Sequence, residues 1–329
     1  MPNELLIQVK DLITQFKLDD GILTAVDHVS FDIYKGEALG LVGESGCGKS
    51  VTAFSLLNLI EPPGRVAGGE ILYEGEDILK KSKREMRMFR GAKVSMVFQE
   101  PMTSLNPVFT IGNQIDEVIK IHQRVRAKEA KERSMELLKL VNIPLPEQRY
   151  AEYPHQLSGG MRQRVMIAMA LACNPALLIC DEPTTALDVT VQAQVLKLIN
   201  KLKKQMNMSI MLITHDLAVI SEIADRVIIM YAGQIVEEAK ERDIFTIPLH
   251  PYTEALLRSI PSVNKNAADE LYMIKGMVPN LLKKHSGCLF APRCDYARKK
   301  CHEAEPELRL YGNSKVRCHK YRDGWEACE

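Results

Sequence analysis

The sequence has no apolar run approaching the ~20 residues that a membrane-spanning helix requires, and nothing in it resembles a signal peptide. Its longest candidate, residues 165–180, is broken by Asn174-Pro175 and reads as a helix followed by a strand. Net charge is nearly absent as well. The 43 Lys and Arg residues stand against 42 Asp and Glu, a balance of +1. No overall field therefore pulls the chain onto nucleic acid or an anionic membrane. There is no internal repeat and no low-complexity segment, which excludes repeat architectures. A basic run does occur at Lys80, Lys81, Lys83, Arg84, Arg87, Arg90 and Lys93, but it lacks interleaved aromatics and reads as a solvated or partner-facing helix. These absences predict a cytosolic globular protein whose membrane role, if any, comes through a partner. Its 329 residues, 46% hydrophobic and 26% charged, suit one large domain with an appendage, or two domains.

Cysteine is scarce before residue 288, where only Cys47, Cys173 and Cys180 occur. Cys288, Cys294, Cys301, Cys318 and Cys328 crowd the last 42 residues. In a reducing compartment such clustering points to a metal or a cluster rather than to disulfides.

What the chain does contain begins at residues 43–50, Gly-Glu-Ser-Gly-Cys-Gly-Lys-Ser, which close the apolar run Ala38–Val42 and open a helix. Gly43, Gly46 and Gly48 permit a compact turn in which successive backbone N–H groups converge on one anion. The helix start adds unpaired donors and a partial positive charge. Lys49 would reach the β/γ-phosphates, and the Ser50 hydroxyl would hold Mg²⁺. The pattern predicts a nucleoside triphosphate site.

Strand-like runs at Leu5–Val9, Ala25–Ile33 and Ala38–Val42 precede this loop, and a helix from Lys49 to about Ile60 follows it. The strand Lys93–Phe98 leads into a mainly helical region from about Ile111 to Ala172 that includes the charged helix Lys128–Leu140. Strands at Leu177–Asp181, Ser209–Thr214 and Arg226–Met230 then alternate with helices near Thr190–Gln205 and Asp216–Ile223. This alternation predicts a mostly parallel sheet with helices on its faces. A loose stretch near Pro261–Asp269 reads as a hinge into the Cys-rich tail.

Two further segments bear on the triphosphate. The buried strand Leu177–Cys180 ends in Asp181 and Glu182. Asp181, at the strand tip, is placed to contact Mg²⁺, and Glu182 to polarise the attacking water. Leu157-Ser158-Gly159-Gly160-Met161-Arg162-Gln163-Arg164 places a hydroxyl and two glycines ahead of a helix, which makes a second anion site. One ligand rarely needs two helix starts from distant parts of one chain. Two chains arranged head to tail, each lending this site to the other's triphosphate, meet the requirement.

On these residues the chain resembles an ATP-binding cassette ATPase, the motor subunit of ABC transporters, over about residues 5–240. The resemblance implies an α/β fold: a P-loop NTPase nucleotide-binding domain with a helical subdomain over about 100–172 and a β-rich N-terminal part. It assigns ATP binding to Gly43, Glu44, Ser45, Gly46, Cys47, Gly48, Lys49, Ser50 and Val51. It adds Phe16 against adenine, Gln99 as the loop touching both metal and membrane partner, and Ser158, Gly159 and Gly160 as the signature capping the partner's γ-phosphate. Asp188 matches the loop crossing to the opposite subunit, and His215 the switch histidine that braces the γ-phosphate. Glu182, His215 and Lys49 carry catalysis, and Ser50, Gln99 and Asp181 serve Mg²⁺. Cys47 stands where the family often has Ser and reads as a small filler. A helix N-terminus lowers a thiol pKa, so alkylation is expected to block the ATPase.

Glu100–Pro107, His250-Pro251-Tyr252-Thr253 and Gly287–Cys294 narrow the resemblance to the ATPase subunits of oligopeptide/dipeptide importers, including the related nickel importers. That implies a homologous second ATPase, two permease subunits, an extracytoplasmic binding protein and a peripheral place on the cytoplasmic face of the membrane. Residues 1–240 are then the ATPase domain, and 241–329 a C-terminal extension with a Cys-rich segment over about 285–320. Cys288, Cys294, Cys301 and Cys318 are spaced by five, six and sixteen residues, wider than the gaps of zinc knuckles. Four thiolates suit a 4Fe–4S cluster, which the resemblance places here; zinc and free thiols are the alternatives. His285, His302 and His319 flank the cysteines as alternative ligands, with a solvent-facing role the simpler reading of each, and Cys328 reads as a bystander. A soluble cassette ATPase of DNA repair or translation is disfavoured by the single cassette and neutral charge, and a sensor without turnover by Glu182 and His215.

Overall fold

The computed structural model describes residues 4–100, 104–185, 187–260, 273–282 and 285–322. The expected hinge at Pro261–Asp269, Cys328, Ala186 and residues 101–103 of the stretch after Gln99 lie outside them. Contacts divide the chain into two units. One is built mainly from Ile78–Ile213 with Tyr34–Ala38, the other from Leu6–Ile33, Leu39–Asp77 and Thr214 onward.

In the second unit, Gly21–Tyr34, Leu5–Leu18, Gly64–Tyr73 and Glu76–Asp77 form an antiparallel sheet in that spatial order. Leu5–Leu18 runs well past the expected Val9 because the register slips between Lys10 and Ile13. Asp11 there adopts φ 50°, and Gly69 approaches so closely that a Cβ would lie 2.5 Å from the Asp11 carbonyl oxygen. A bulge of this kind bends a strand without ending it.

The same unit holds a second set of strands. Ala38–Val42 runs parallel to Arg226–Tyr231, with Leu39 opposite Arg226 and Val42 opposite Ile229. Gln234–Lys240 then turns back antiparallel on Arg226–Tyr231. The two residues between them, Ala232 and Gly233, both have positive φ, the twist that a tight hairpin demands. Ser314–Val316 pairs with Gln234–Lys240, and Arg309–Tyr311 with Ser314–Val316, so the Cys-rich tail extends this sheet rather than hanging from it.

In the first unit, Val94–Val97, Leu177–Asp181 and Ser209–Thr214 lie parallel, with Val94 opposite Leu177 and Leu177 opposite Ser209. Leu177–Asp181 and Ser209–Thr214 are buried throughout, as parallel strands covered on both faces are. The helical region comprises Ile111–Gln123, Ala127–Leu140, Pro146–Ala151 and Gly159–Leu171. Ile111, Ile115 and Ile119, one turn apart, are fully buried along one helix face. Asp116 on the same helix is also buried, and it accepts from the Ser134 hydroxyl at 2.6 Å and the Tyr150 hydroxyl at 2.9 Å. The expected mostly parallel sheet is therefore accompanied by long antiparallel stretches. Some of these, such as Arg226–Tyr231 with Gln234–Lys240, close through two-residue hairpins and others join strands distant in the chain, whereas each parallel pair needs a helix-length crossover.

Candidate functional site

The phosphate loop leaves a fully buried strand at Gly43 and enters the helix Lys49–Leu56 at Gly48. Its glycines answer to different constraints. A Cβ on Gly43 would stand 2.2 Å from the Met230 carbonyl oxygen, and one on Gly48 2.3 Å from that of Ala25. Gly46 and Gly48 also hold φ of 77° and 100°, where side chains are strained. The loop is thus pressed between backbone segments and leaves Ser45 and Gly46 exposed at its crest. Lys49 is 5% exposed, and its ammonium donates to the carbonyls of Gly43 at 2.7 Å and Glu44 at 3.0 Å. Ser50 and Val51 are half-buried in the first turn of the helix.

Cys47 is the small filler the sequence suggests, and corrects only the expectation of a reactive thiol. The residue is 1% exposed, and burial pushes its thiol pKa up; the nearby Lys49 charge opposes this without reversing it. Desolvation outweighs the helix N-terminus, so the thiol is packed rather than activated.

Glu44 has partners that the sequence did not announce. Its backbone N–H donates to the Tyr252 hydroxyl at 2.9 Å. Its carboxylate accepts both arms of the Arg293 guanidinium, at 2.7 and 3.0 Å. Tyr252 and Arg293 fall within His-Pro-Tyr-Thr and Gly287–Cys294, stretches that sequence reasoning noticed only as subfamily markers. Phe16 is half-buried opposite Gly64, so close that a Cβ on Gly64 would stand 2.5 Å from its ring. His215 is exposed just beyond Ser209–Thr214, ahead of Asp216, which caps the helix Leu217–Ser221 by accepting the Ala218 N–H at 2.8 Å.

The other unit brings its acids and polar groups together. Asp181 is 3% exposed at the end of its strand. Glu182 turns off the strand at φ 45°, held there by its N–H donating to the Ile213 carbonyl at 2.8 Å. One Glu182 carboxylate oxygen accepts from the Gln99 amide at 3.0 Å and from the Thr185 hydroxyl at 2.9 Å. A left-handed non-glycine residue is uncommon, and such backbone strain clusters at functional sites.

Ser158 caps the helix Gly159–Leu171, and Gly159 is exposed beside it. A Cβ on Gly160 would come within 2.7 Å of Val191, and one on Gly159 within 3.6 Å of Leu187. Asp188 caps the helix Val189–Met206 by accepting the Val191 N–H at 2.9 Å. The signature turn and the Asp188 loop are therefore neighbours, with bare glycine backbone where the two meet.

Cys288, Cys294, Cys301 and Cys318 line one pocket together with His250, Phe290 and His319. None of them is in a disulfide. Burial is the main cause raising three of these thiols, Cys288 upward, Cys294 to about 11 and Cys318 to about 12; neighbouring thiols add to it. Among the described residues, no three His, Cys, Asp or Glu side chains stand close enough to grip a single metal ion. His319 corrects its solvent-facing reading: it is 2% exposed, and its Nε2 lies 2.8 Å from the Ala304 carbonyl oxygen.

Residues 26–185 match the ABC transporter family, and residues 236–301 match the oligopeptide/dipeptide transporter C-terminal region. Among solved structures, the ATP-binding cassette MJ0796 is similar. Its dimeric post-hydrolysis state, bound to ADP and Pi, aligns at TM-score 0.65 and 28% identity over 72% of this chain and 99% of that one. Fold and site together define an ATP-binding cassette ATPase. The chain is 52% identical over 314 residues to the dipeptide transport ATP-binding protein DppD of Haemophilus influenzae, covering 95% of each. It is also 52% identical over 320 residues to the oligopeptide transport ATP-binding protein AppD of Bacillus subtilis, covering 97% of each. The chain belongs to the ABC transporter ATP-binding subunits of the oligopeptide/dipeptide family.

Proposed function

We propose that this chain is the ATP-hydrolysing motor subunit of an importer for di- and oligopeptides, peripheral on the cytoplasmic face of the membrane. What carries the reading is the presence in one chain of the cassette and the oligopeptide/dipeptide C-terminal region. No helix among the described residues is long and apolar enough to cross a membrane, so translocation falls to permease subunits. A homologous second ATPase completes the head-to-tail pair, and an extracytoplasmic binding protein delivers substrate.

In this reading residues 1–240 are the motor and 241–329 its extension. Phe16 takes the adenine, the loop Gly43–Ser50 with Val51 takes the phosphates, and Lys49 neutralises charge on the β/γ-phosphates. Ser50, Gln99 and Asp181 would hold Mg²⁺, which supplies further neutralisation when bound. Asp181, nearly buried at a strand end, is the kind of oxygen donor such a cation selects. Glu182 orients and deprotonates the attacking water, and its bonds to Gln99 and Thr185 support that role by fixing the carboxylate. His215 braces the γ-phosphate. Ser158, Gly159 and Gly160 cap the triphosphate of the opposite cassette, and Asp188 accompanies them across the interface. Closure then depends on contacts made only while the γ-phosphate is present, so hydrolysis releases the pair.

The test is uptake of a labelled dipeptide into proteoliposomes carrying the chain, its partner ATPase and the permeases. ATP-dependent uptake that stops in the Glu182→Gln variant is expected. Purification of the chain without any membrane subunit, together with ATPase activity indifferent to peptide, would sink the proposal.

We further infer that Cys288, Cys294, Cys301 and Cys318 hold a 4Fe–4S cluster. Four soft sulfur donors facing one pocket, with none spent in a disulfide, support it. Such a group would tie the extension's turns together and requires no redox step. Iron analysis and visible absorbance of anaerobically prepared protein decide the matter; a colourless chain with one zinc would overturn it.

A further inference from the structure

We propose that Arg293 is a positioning residue of the nucleotide site, through which the C-terminal extension sets the shape and charge of the phosphate loop. The inference rests on Gly43–Ser50 being the ATP loop. Glu44 is the first residue after the close-packed Gly43, and two groups of the extension hold it by separate atoms. Tyr252 takes its backbone N–H at 2.9 Å, and Arg293 forks its carboxylate at 2.7 and 3.0 Å. Parallel two-point contact of this kind fixes orientation as well as charge.

Arg293 is itself fixed. Its side chain is 5% exposed and donates further to the Tyr231 hydroxyl at 3.3 Å and the Lys275 carbonyl at 2.9 Å. It rides on a turn closed by the Ala291 N–H on the Cys288 carbonyl at 3.0 Å and the Arg293 N–H on that of Phe290 at 2.9 Å. The Phe290 ring meets Tyr231 edge-on at 5.2 Å and Tyr252 at 5.4 Å. Two pocket cysteines, Cys288 and Cys294, bracket this turn, so the thiol pocket and the phosphate loop are ends of one packed assembly.

The consequence is electrostatic and entropic. Without the guanidinium, Glu44 would present an uncompensated negative charge beside an incoming triphosphate. The loop would also lose its clamp and pay more ordering entropy on binding. Both effects weaken nucleotide binding, and neither acts on the water attack. A pair that served only stability would lower the melting temperature and leave KM alone.

The experiment measures ATP KM and kcat of the assembled complex, and binding of a fluorescent ATP analogue, in variants of the full chain. Arg293→Ala is expected to raise KM and analogue Kd about tenfold with kcat within about twofold. Arg293→Lys, which keeps the charge and loses the fork, should raise them about threefold. Adding Glu44→Gln to Arg293→Ala should recover part of the loss by deleting the exposed charge. Unchanged KM and Kd in Arg293→Ala overturn the inference; if that variant fails to fold, unchanged values in Arg293→Lys do so. Wild-type protein that binds no analogue would instead sink the phosphate-loop reading.

Discussion

Glu182 is a residue whose conformation its neighbours dictate. Its left-handed backbone is pinned by Ile213, and its carboxylate is steadied by Gln99 and Thr185. Replacing it with Gln keeps the shape and removes the basicity. The variant should bind ATP like wild type and hydrolyse it roughly 10²–10⁴-fold more slowly, as expected on loss of a general base. Single-turnover assays with labelled ATP measure this, and wild-type turnover would move the role elsewhere. Cys47 illustrates the opposite outcome. The sequence shows a thiol at a helix start, but only burial reveals that desolvation outweighs the dipole. Iodoacetamide at neutral pH should therefore leave Cys47 unmodified in the native chain and modify it in denaturant, as read by peptide mass spectrometry. Rapid native labelling would contradict its packing.

Elements end where local chemistry ends them, and those ends are only partly legible beforehand. The phosphate-loop helix stops at Leu56, not near Ile60, because Asn58 adopts φ 48° and the Leu59 N–H closes on the Phe54 carbonyl at 2.8 Å. Gly64–Tyr73 and the tail strands escaped the sequence reading since their stability comes from partners distant in the chain. In the helical region, Gly112 faces the Tyr150 ring, where a Cβ would meet carbons at 2.4 and 2.5 Å. Gly112→Ala should cost about 1–3 kcal/mol despite alanine's better helix propensity, measured by urea unfolding. Burial, reinforced by the bond to Asp116, raises the Tyr150 hydroxyl to about 12. The folded state thus keeps Tyr150 neutral while the unfolded chain ionises near its ordinary value of 10.0. Its stabilising contribution is complete below that pH and is lost as pH rises toward 12. A Tyr150→Phe variant should lose stability less steeply over that interval.

For the whole molecule, the proposed function has each cassette bind ATP alone and hydrolyse it only in pairs, which gives both glycine-bearing helix starts a role. Ser158→Arg should then leave analogue binding by the same chain intact and abolish hydrolysis by about 10²-fold or more, since it blocks the cap offered to the opposite site. Loss of binding in parallel with hydrolysis would count against the head-to-tail arrangement.

The amino-acid order by itself determined the cassette: the glycine-spaced loop with Lys49 and Ser50, the strand ending in Asp181 and Glu182, and the Ser-Gly-Gly helix start. These are local arrangements, built from residues whose conformational freedom or hydrogen-bonding capacity suffices wherever they stand. Tertiary structure decided what distance in the chain conceals. It showed that Cys47 is sealed off, that the tail completes a sheet, and that a guanidinium 249 residues away grips the phosphate loop. Such pairings depend on which surfaces packing brings face to face, and no local pattern specifies that.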